Sequence, residues 1–133
     1  MTVPVVPAGS VIVGLGIDLV EVDRIRRAVA RTATFAGRIF TSAEQEWCTA
    51  ANDPAERYAV RWAAKEAVLK SLGVGLGAAA FTDIEVIRAE CGAPSIVVHG
   101  PAEALSVERG VARFLVSLSH TATLAQATVL ALA

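Results

Sequence analysis

Asn52-Asp53-Pro54-Ala-Glu56 and Gly73-Val-Gly75 mark the two ends of one long helix, and that helix constrains the fold more than any other stretch of the chain. Aspartate is a preferred N-cap, because its side-chain oxygen accepts from the unpaired N–H groups of the first turn. Proline at the first helical position gives up an N–H that has no partner there anyway, and a glutamate in the first turn complements the helix dipole. Gly73 supplies the stop, since the residue just past a helix often needs left-handed backbone. The predicted helix reaches Leu72 and is roughly 27 Å long, enough to be the central element of a small domain. It is alanine-rich and apolar, yet Glu66 and Lys70 stand four residues apart in a row shared with Ala59 and Ala63, with Trp62 to one side. Side chains at that spacing are neighbours on one face. A carboxylate and an ammonium among small and aromatic neighbours point to a polar, phosphorylated ligand, although the same pair is also the ordinary solvated helix stabiliser.

The rest of the composition narrows the class. The chain has 133 residues, the size of one domain, with 54% apolar and 19% charged residues, which excludes a disordered or fibrous class. A net charge of −1 gives no overall pull toward nucleic acid or a membrane surface, so electrostatic recognition has to be local. Cys48 and Cys91 do not make a disulfide framework and read as thiols in a reducing cytosol; with two scattered histidines they make no zinc site. The apolar start of the chain lacks a basic region, is interrupted by Pro4 and Pro7 and runs into Asp18, so residues 1–10 read as a short tail rather than an export signal. No apolar run is long enough to span a bilayer, and the expected location is the cytoplasm.

Residues 11–133 read as a single domain. Val11 to Gly16 is a β-branched run and predicts a buried strand. Leu19, Val22, Ile25 and Val29 form an apolar stripe that predicts a helix from Leu19 to about Arg31. Thr34 to Phe40 predicts a turn of helix and a loop, and Thr41-Ser-Ala-Glu44 is a capping box that starts a short helix near Ser42. Strands are expected at Asp83–Arg88, Ser95–Val98, Arg113–Ser119 and Ala122–Leu132, the last two as a hairpin, with a proline-started helix over Pro101–Glu108. This order argues an α+β domain, a long central helix packed on a small antiparallel sheet.

Gly14-Leu-Gly16-Ile-Asp18 lacks the third glycine of a dinucleotide fingerprint, with Leu19 in its slot. Asp18 alone reads as an N-cap of the following helix. Together with Glu66 it offers two hard oxygen ligands, the set from which magnesium is held with waters and substrate phosphates. Lys70 would then neutralise phosphate charge or assist proton transfer, and the Gly73–Gly75 turn would let backbone approach a phosphate.

Five ordered segments carry a resemblance: Gly14-x-Gly-Ile-Asp18-Leu-Val-Glu21-x-x-Arg24-Ile25; Phe35-x-x-Arg38-Ile-Phe-Thr41-x-x-Glu44; Arg61-x-x-x-Lys65-Glu66-Ala-x-x-Lys70-x-x-Gly73-x-Gly75; Asp83-Ile-Glu85-Val with Gly92-x-Pro94; and Ser117-x-Ser119-His120. Over nearly the whole chain the sequence resembles the holo-[acyl-carrier-protein] synthase group of the 4′-phosphopantetheinyl transferases. The resemblance implies transfer of 4′-phosphopantetheine from coenzyme A to a serine hydroxyl of apo acyl carrier protein, with adenosine 3′,5′-bisphosphate released. It implies that Asp18 and Glu66 bind magnesium, that Lys70 sits at the phosphates, and that Arg61, Lys65, Gly73, Gly75 and His120 serve the coenzyme A. Glu21 would support the metal site. The serine's base is Glu66 or a magnesium-bound water. Arg24, Arg27 and Arg31, with Arg26 beside them, would meet an acidic carrier protein, and a homotrimer with shared sites is expected. The chain departs from the family at Val74, where a threonine is common, at Ala93, where many relatives have lysine, and at its Ala-Leu-Ala end. The rival readings are a carrier-protein-binding module without chemistry and a magnesium-dependent coenzyme A hydrolase. Trp47 and Trp62 are expected in the core.

Overall fold

The computed structural model describes residues 4–133; the first three residues of the expected tail lie outside them. Strand β1 (Ile12–Glu21) leads into helix α1 (Val22–Arg31), followed by α2 (Phe35–Ile39), α3 (Ser42–Thr49) and the long α4 (Pro54–Ser71). A short 3-10 turn at Phe81–Asp83 precedes the hairpin of β2 (Ile84–Arg88) and β3 (Pro94–Val98). Helix α5 (Gly100–Glu108) and the hairpin of β4 (Arg113–His120) and β5 (Leu124–Leu132) complete the chain. The α+β expectation holds, with the strands divided over two sheets: β1-β5-β4 and β2-β3, both antiparallel.

The caps of α4 form as its sequence dictates. Asp53 accepts from the Ala55 N–H at 3.3 Å, and Pro54 takes the first turn. At the other end Val74 N–H bonds Leu69 O and Gly73 N–H bonds Lys70 O, with Gly73 at φ +73°, a Schellman motif. The Thr41–Glu44 capping box also forms, with both of its reciprocal bonds present.

Strand β1 corrects the expectation. It runs five residues past Gly16, and α1 starts at Val22 rather than Leu19. Asp18 therefore lies inside a strand and caps nothing; Glu21 takes the N-cap position without a side-chain bond. Leu19 fits a helical stripe and a strand alternation equally, and pairing with β5 through Glu21–Leu124 decides for the strand.

Alternation sends Gly14, Gly16, Asp18 and Val20 toward α4, and Leu15, Ile17 and Leu19 away from it. The two glycines fix how close β1 comes. A Cβ on Gly14 would lie 1.9 Å from Ser71 O, and one on Gly16 1.9 Å from Ala67 O. The inward residues of β5, Ala125, Ala127, Val129 and Ala131, are buried, as are Ala59, Ala63 and Ala67 of α4. Small side chains on both surfaces thus set helix against sheet at backbone range. On the other face Leu15, Ile17 and Leu19 stay 57%, 51% and 62% exposed, while Pro4 and Val6 of the tail lie beside Leu115, Ser117, Thr128 and Leu130.

Candidate active site

Close packing of β1 on α4 brings three of the expected residues together. Lys70 Nζ donates to Asp18 Oδ1 and to Ile17 O, each at 3.0 Å. Glu66 is half-buried beside them. Burial raises its pKa, the nearby Asp18 carboxylate raises it further, and Lys70 and Arg24 pull the other way. Two nearby carboxylates, one of which holds its proton more tightly, make a site that a divalent cation would relieve. Among the described residues no group of three or more His, Cys, Asp or Glu side chains gathers to hold an ion. The donor set is two carboxylate oxygens, which suits magnesium, an ion that keeps several waters and substrate phosphates rather than filling an all-protein cage. Glu21 takes no part, because alternation along β1 turns it to the face opposite Asp18.

Lys65 lies elsewhere. It is fully buried and donates to Glu44 Oε1 at 2.7 Å, Phe81 O at 2.8 Å and Ile84 O at 2.5 Å. Glu44 Oε2 in turn accepts from Val86 N–H at 2.9 Å. All three ammonium donors are spent in tying α4 to α3 and β2, so the expected role at coenzyme A is replaced by a structural one. Gly73 is accounted for by the helix stop, and Gly75 stands in open space.

Arg61 and His120 meet in a different place, an open cleft of about 720 Å³ between α4, β4 and the β2–β3 hairpin. His120 Nδ1 lies 3.7 Å from Glu56 Oε2. Arg61 is 4% exposed, and its buried Nε has no hydrogen-bond partner. Trp47, Arg57 and Arg88 line the same cleft and were not anticipated. The signal was available: Arg57 and Arg61 are like charges four residues apart, an unfavourable pair unless an anion answers it. Trp47 is a cleft residue at 38% exposure, against the expectation that it is core. Trp62 does pack inside, stacked on Phe35 at 5.9 Å and edge-on to Phe81 at 4.8 Å.

On α1 the residues Arg24, Arg27 and Arg31 fall within an arc of roughly 60°, from the standard helical angle. Arg24 reaches to 5.9 Å from the Trp62 ring, beside Glu66. Arg26 points away and pairs with Asp23 and, at 2.6 Å, with the α4 cap Asp53. Burial pushes the Cys48 thiol up to about 11, while Cys91 is exposed; both are free.

A family model described as the 4′-phosphopantetheinyl transferase superfamily matches residues 14–128. The holo-[acyl-carrier-protein] synthase of Moorella thermoacetica is 43% identical over 115 residues, 86% of this chain and 90% of that protein. Among solved structures, holo-[acyl-carrier-protein] synthase from Neisseria meningitidis is 33% identical with a TM-score of 0.82, covering 91% of this chain and 98% of that one. The Helicobacter pylori synthase, solved in complex with coenzyme A, is 30% identical with a TM-score of 0.78, covering 88% and 98%.

Proposed function

The chain belongs to the 4′-phosphopantetheinyl transferase superfamily, and from that premise we propose that it moves 4′-phosphopantetheine from coenzyme A to a serine hydroxyl of apo acyl carrier protein. The observation that carries the reading to particular residues is the meeting of Asp18, Glu66 and Lys70 where β1 crosses α4. Asp18 and Glu66 are the residues that would hold magnesium, and the ion when bound supplies charge neutralisation at the pyrophosphate. Lys70 offers its ammonium to the phosphate oxygens. The serine oxygen forms a bond to the phosphorus that bears the pantetheine arm. The bond from that phosphorus to the bridging oxygen breaks, and adenosine 3′,5′-bisphosphate leaves with the electron pair. Such a transfer asks the protein chiefly for positioning and for neutralised charge. Glu66, held beside Asp18 and Lys70, is the chain's own candidate to receive the serine proton.

Arg24, Arg27 and Arg31 present one basic stripe beside this site, which suits an acidic carrier protein and would steer its serine toward Glu66. The arginine cleft suits the nucleotide end of coenzyme A. From Glu66, Arg61 is turned by roughly 140° and Arg57 by roughly 180° around α4, by the standard helical angle. One molecule of coenzyme A would then reach both sets of residues only if they come from neighbouring chains, which favours a homotrimer with shared sites. The bare apolar row Leu15, Ile17 and Leu19 supports a subunit contact on that sheet face. Residues 11–133 would be the transferase domain and 1–10 a tail. Free Cys48 and Cys91 fit a cytoplasmic location, and no helix of the described residues is long and apolar enough to cross a membrane.

Mass spectrometry of apo carrier protein incubated with coenzyme A, magnesium and the protein tests this. The carrier gains the mass of phosphopantetheine with the wild type, and gains none with Glu66→Gln or Asp18→Asn, each folded by circular dichroism. No gain with the wild type overturns the transferase reading, and free phosphopantetheine in solution would mark a hydrolase.

A further inference from the structure

The segment ahead of β1 turns back onto the sheet instead of leaving it. Pro7-Ala8-Gly9-Ser10 forms a type II turn: Ser10 N–H donates to Pro7 O at 3.1 Å, and Gly9 takes the positive φ, +81°, that the third turn position demands. The reversal lays Pro4 and Val6 over the outer face of the sheet, against Leu115, Ser117, Thr128 and Leu130. Pro4 also reaches Val116 and Leu118 of the edge strand β4. Residues 4–10 thus form a strap that crosses from the start of β1 to the far edge of the sheet. They lie ahead of residues 14–128, the part of the chain that the family model matches.

Strand register defines what the strap covers. Leu15 pairs with Leu130 and Leu130 with Leu115; Ile17 pairs with Thr128 and Thr128 with Ser117. Two rows of side chains therefore run across the three strands on one face. The strap holds the β4–β5 end of both rows, while Leu15 and Ile17 at the β1 end stay bare. Its hold is light. Pro4 and Pro7 have no N–H to give, and among the described residues Pro4, Val5 and Val6 make no backbone hydrogen bond. Val5 is 74% exposed and Val6 40%, and a cavity of about 80 Å³ remains between strap and sheet. A contact of a few apolar atoms without a hydrogen-bonded ladder is released at little cost.

Resting on the proposed homotrimer, the strap has a competitor. A stable contact buries about 800 Å² of each partner, more than Leu15, Ile17 and Leu19 supply from one edge of the face. A second copy seated on them has to spread along the same rows onto Leu130 and Leu115, the ground the strap holds. We propose that residues 4–10 are an autoinhibitory strap, which shields the assembly face of the lone chain and must be displaced before neighbouring copies close on it. The strap raises the protein concentration at which subunits assemble, and with it the concentration at which shared sites are completed.

Sedimentation velocity over a series of protein concentrations, on the full chain and on a chain lacking residues 2–9, tests the proposal. Without the strap the concentration for half-assembly is expected to fall on the order of tenfold, the scale set by covering about one apolar side chain. Val6→Ser keeps the chain length and shifts the midpoint the same way by less. Val6→Cys with Thr128→Cys, in a Cys91→Ser background, is expected to take a short cleavable cross-link in dilute protein. The linked chain then stays monomeric where the cleaved one assembles. Failure of the pair to link overturns the placement of the strap, and linked and cleaved chains that assemble alike overturn its inhibitory role. A midpoint that rises on truncation makes the strap part of the interface and also overturns the proposal. Equal assembly of full and truncated chains removes this inference and leaves the homotrimer standing. If neither chain assembles at any concentration, both fall.

Discussion

Glu66 holds its proton more tightly than an ordinary glutamate because packing against β1 desolvates it and because the Asp18 carboxylate stands near; Lys70 and Arg24 offset part of this. Magnesium binds only the ionised carboxylate, so protons compete with it. With the folded pKa raised, that competition begins at a higher pH than the value of about 4.3 for a free glutamate side chain. The magnesium concentration giving half-maximal transfer is expected to climb as pH falls toward that raised value and to flatten above it. A half-saturating concentration that does not change as pH falls from about 7 to about 4.3, the ordinary glutamate value, contradicts the assignment of Glu66 as a ligand. Lys65, its neighbour in sequence, shows how far residue type alone can mislead. A lysine beside the central glutamate reads as another phosphate ligand until Glu44, Phe81 and Ile84 are seen to take all of its donors. Nothing in one sequence shows that residues 44 and 65 meet. Lys65→Met is accordingly expected to act on stability: it leaves Glu44 buried without its partner, at a cost of about 3–5 kcal/mol. Urea unfolding checks this, and an unchanged midpoint would refute the structural role.

At the scale of elements, the approach of β1 to α4 carries the site. Gly16→Ala would drive a methyl to within 1.9 Å of Ala67 O, so strand and helix must part. The expected cost is about 1–3 kcal/mol or more, as for other overpacked cores, with a loss of transfer beyond what the lost stability explains, because Asp18 moves away from Glu66. Full activity with an unchanged unfolding midpoint would show that the close approach is unnecessary. The helix ends were legible in advance, because Thr41, Asp53, Pro54 and Gly73 each meet a local backbone need that does not depend on distant packing. The end of β1 was not. Leu19 suits both a helical stripe and an outward strand position, and the partner that settles it, Leu124–Leu132, lies a hundred residues away. For the same reason Gly14 and Gly16 read as a failed nucleotide motif when their function is to admit the backbone of α4. Of the site, Asp18, Glu66 and Lys70 were legible as chemistry, and their meeting was not. The Trp47, Arg57 and Arg88 group stayed hidden because its members come from three separate elements.

The whole molecule presents three charged features and one bare apolar one, and each has a consequence in solution. The stripe of Arg24, Arg27 and Arg31 is a local field on a chain with a net charge of −1, so salt should screen it readily. Arg24→Glu together with Arg27→Glu is expected to raise the KM for carrier protein several-fold at low salt, with the difference narrowing as salt rises. A KM that does not move removes the stripe from the account. The proposed reaction requires Asp18, Glu66 and Lys70, on one flank of α4, to act on the same coenzyme A as Arg61 and His120 on the other. We propose that the two halves of each site lie on neighbouring subunits, in contact through the face that carries Leu15, Ile17 and Leu19. Subunit mixing tests this most directly. Glu66→Gln and Arg61→Ala are prepared separately, then co-assembled, and the mass gained by apo carrier protein is followed. Each variant alone is expected to transfer little or nothing, while mixed assemblies regain transfer because some sites combine an intact Glu66 from one chain with an intact Arg61 from the next. Mixed assemblies as inactive as their parents would contradict a shared site and place both halves of the machinery within one chain.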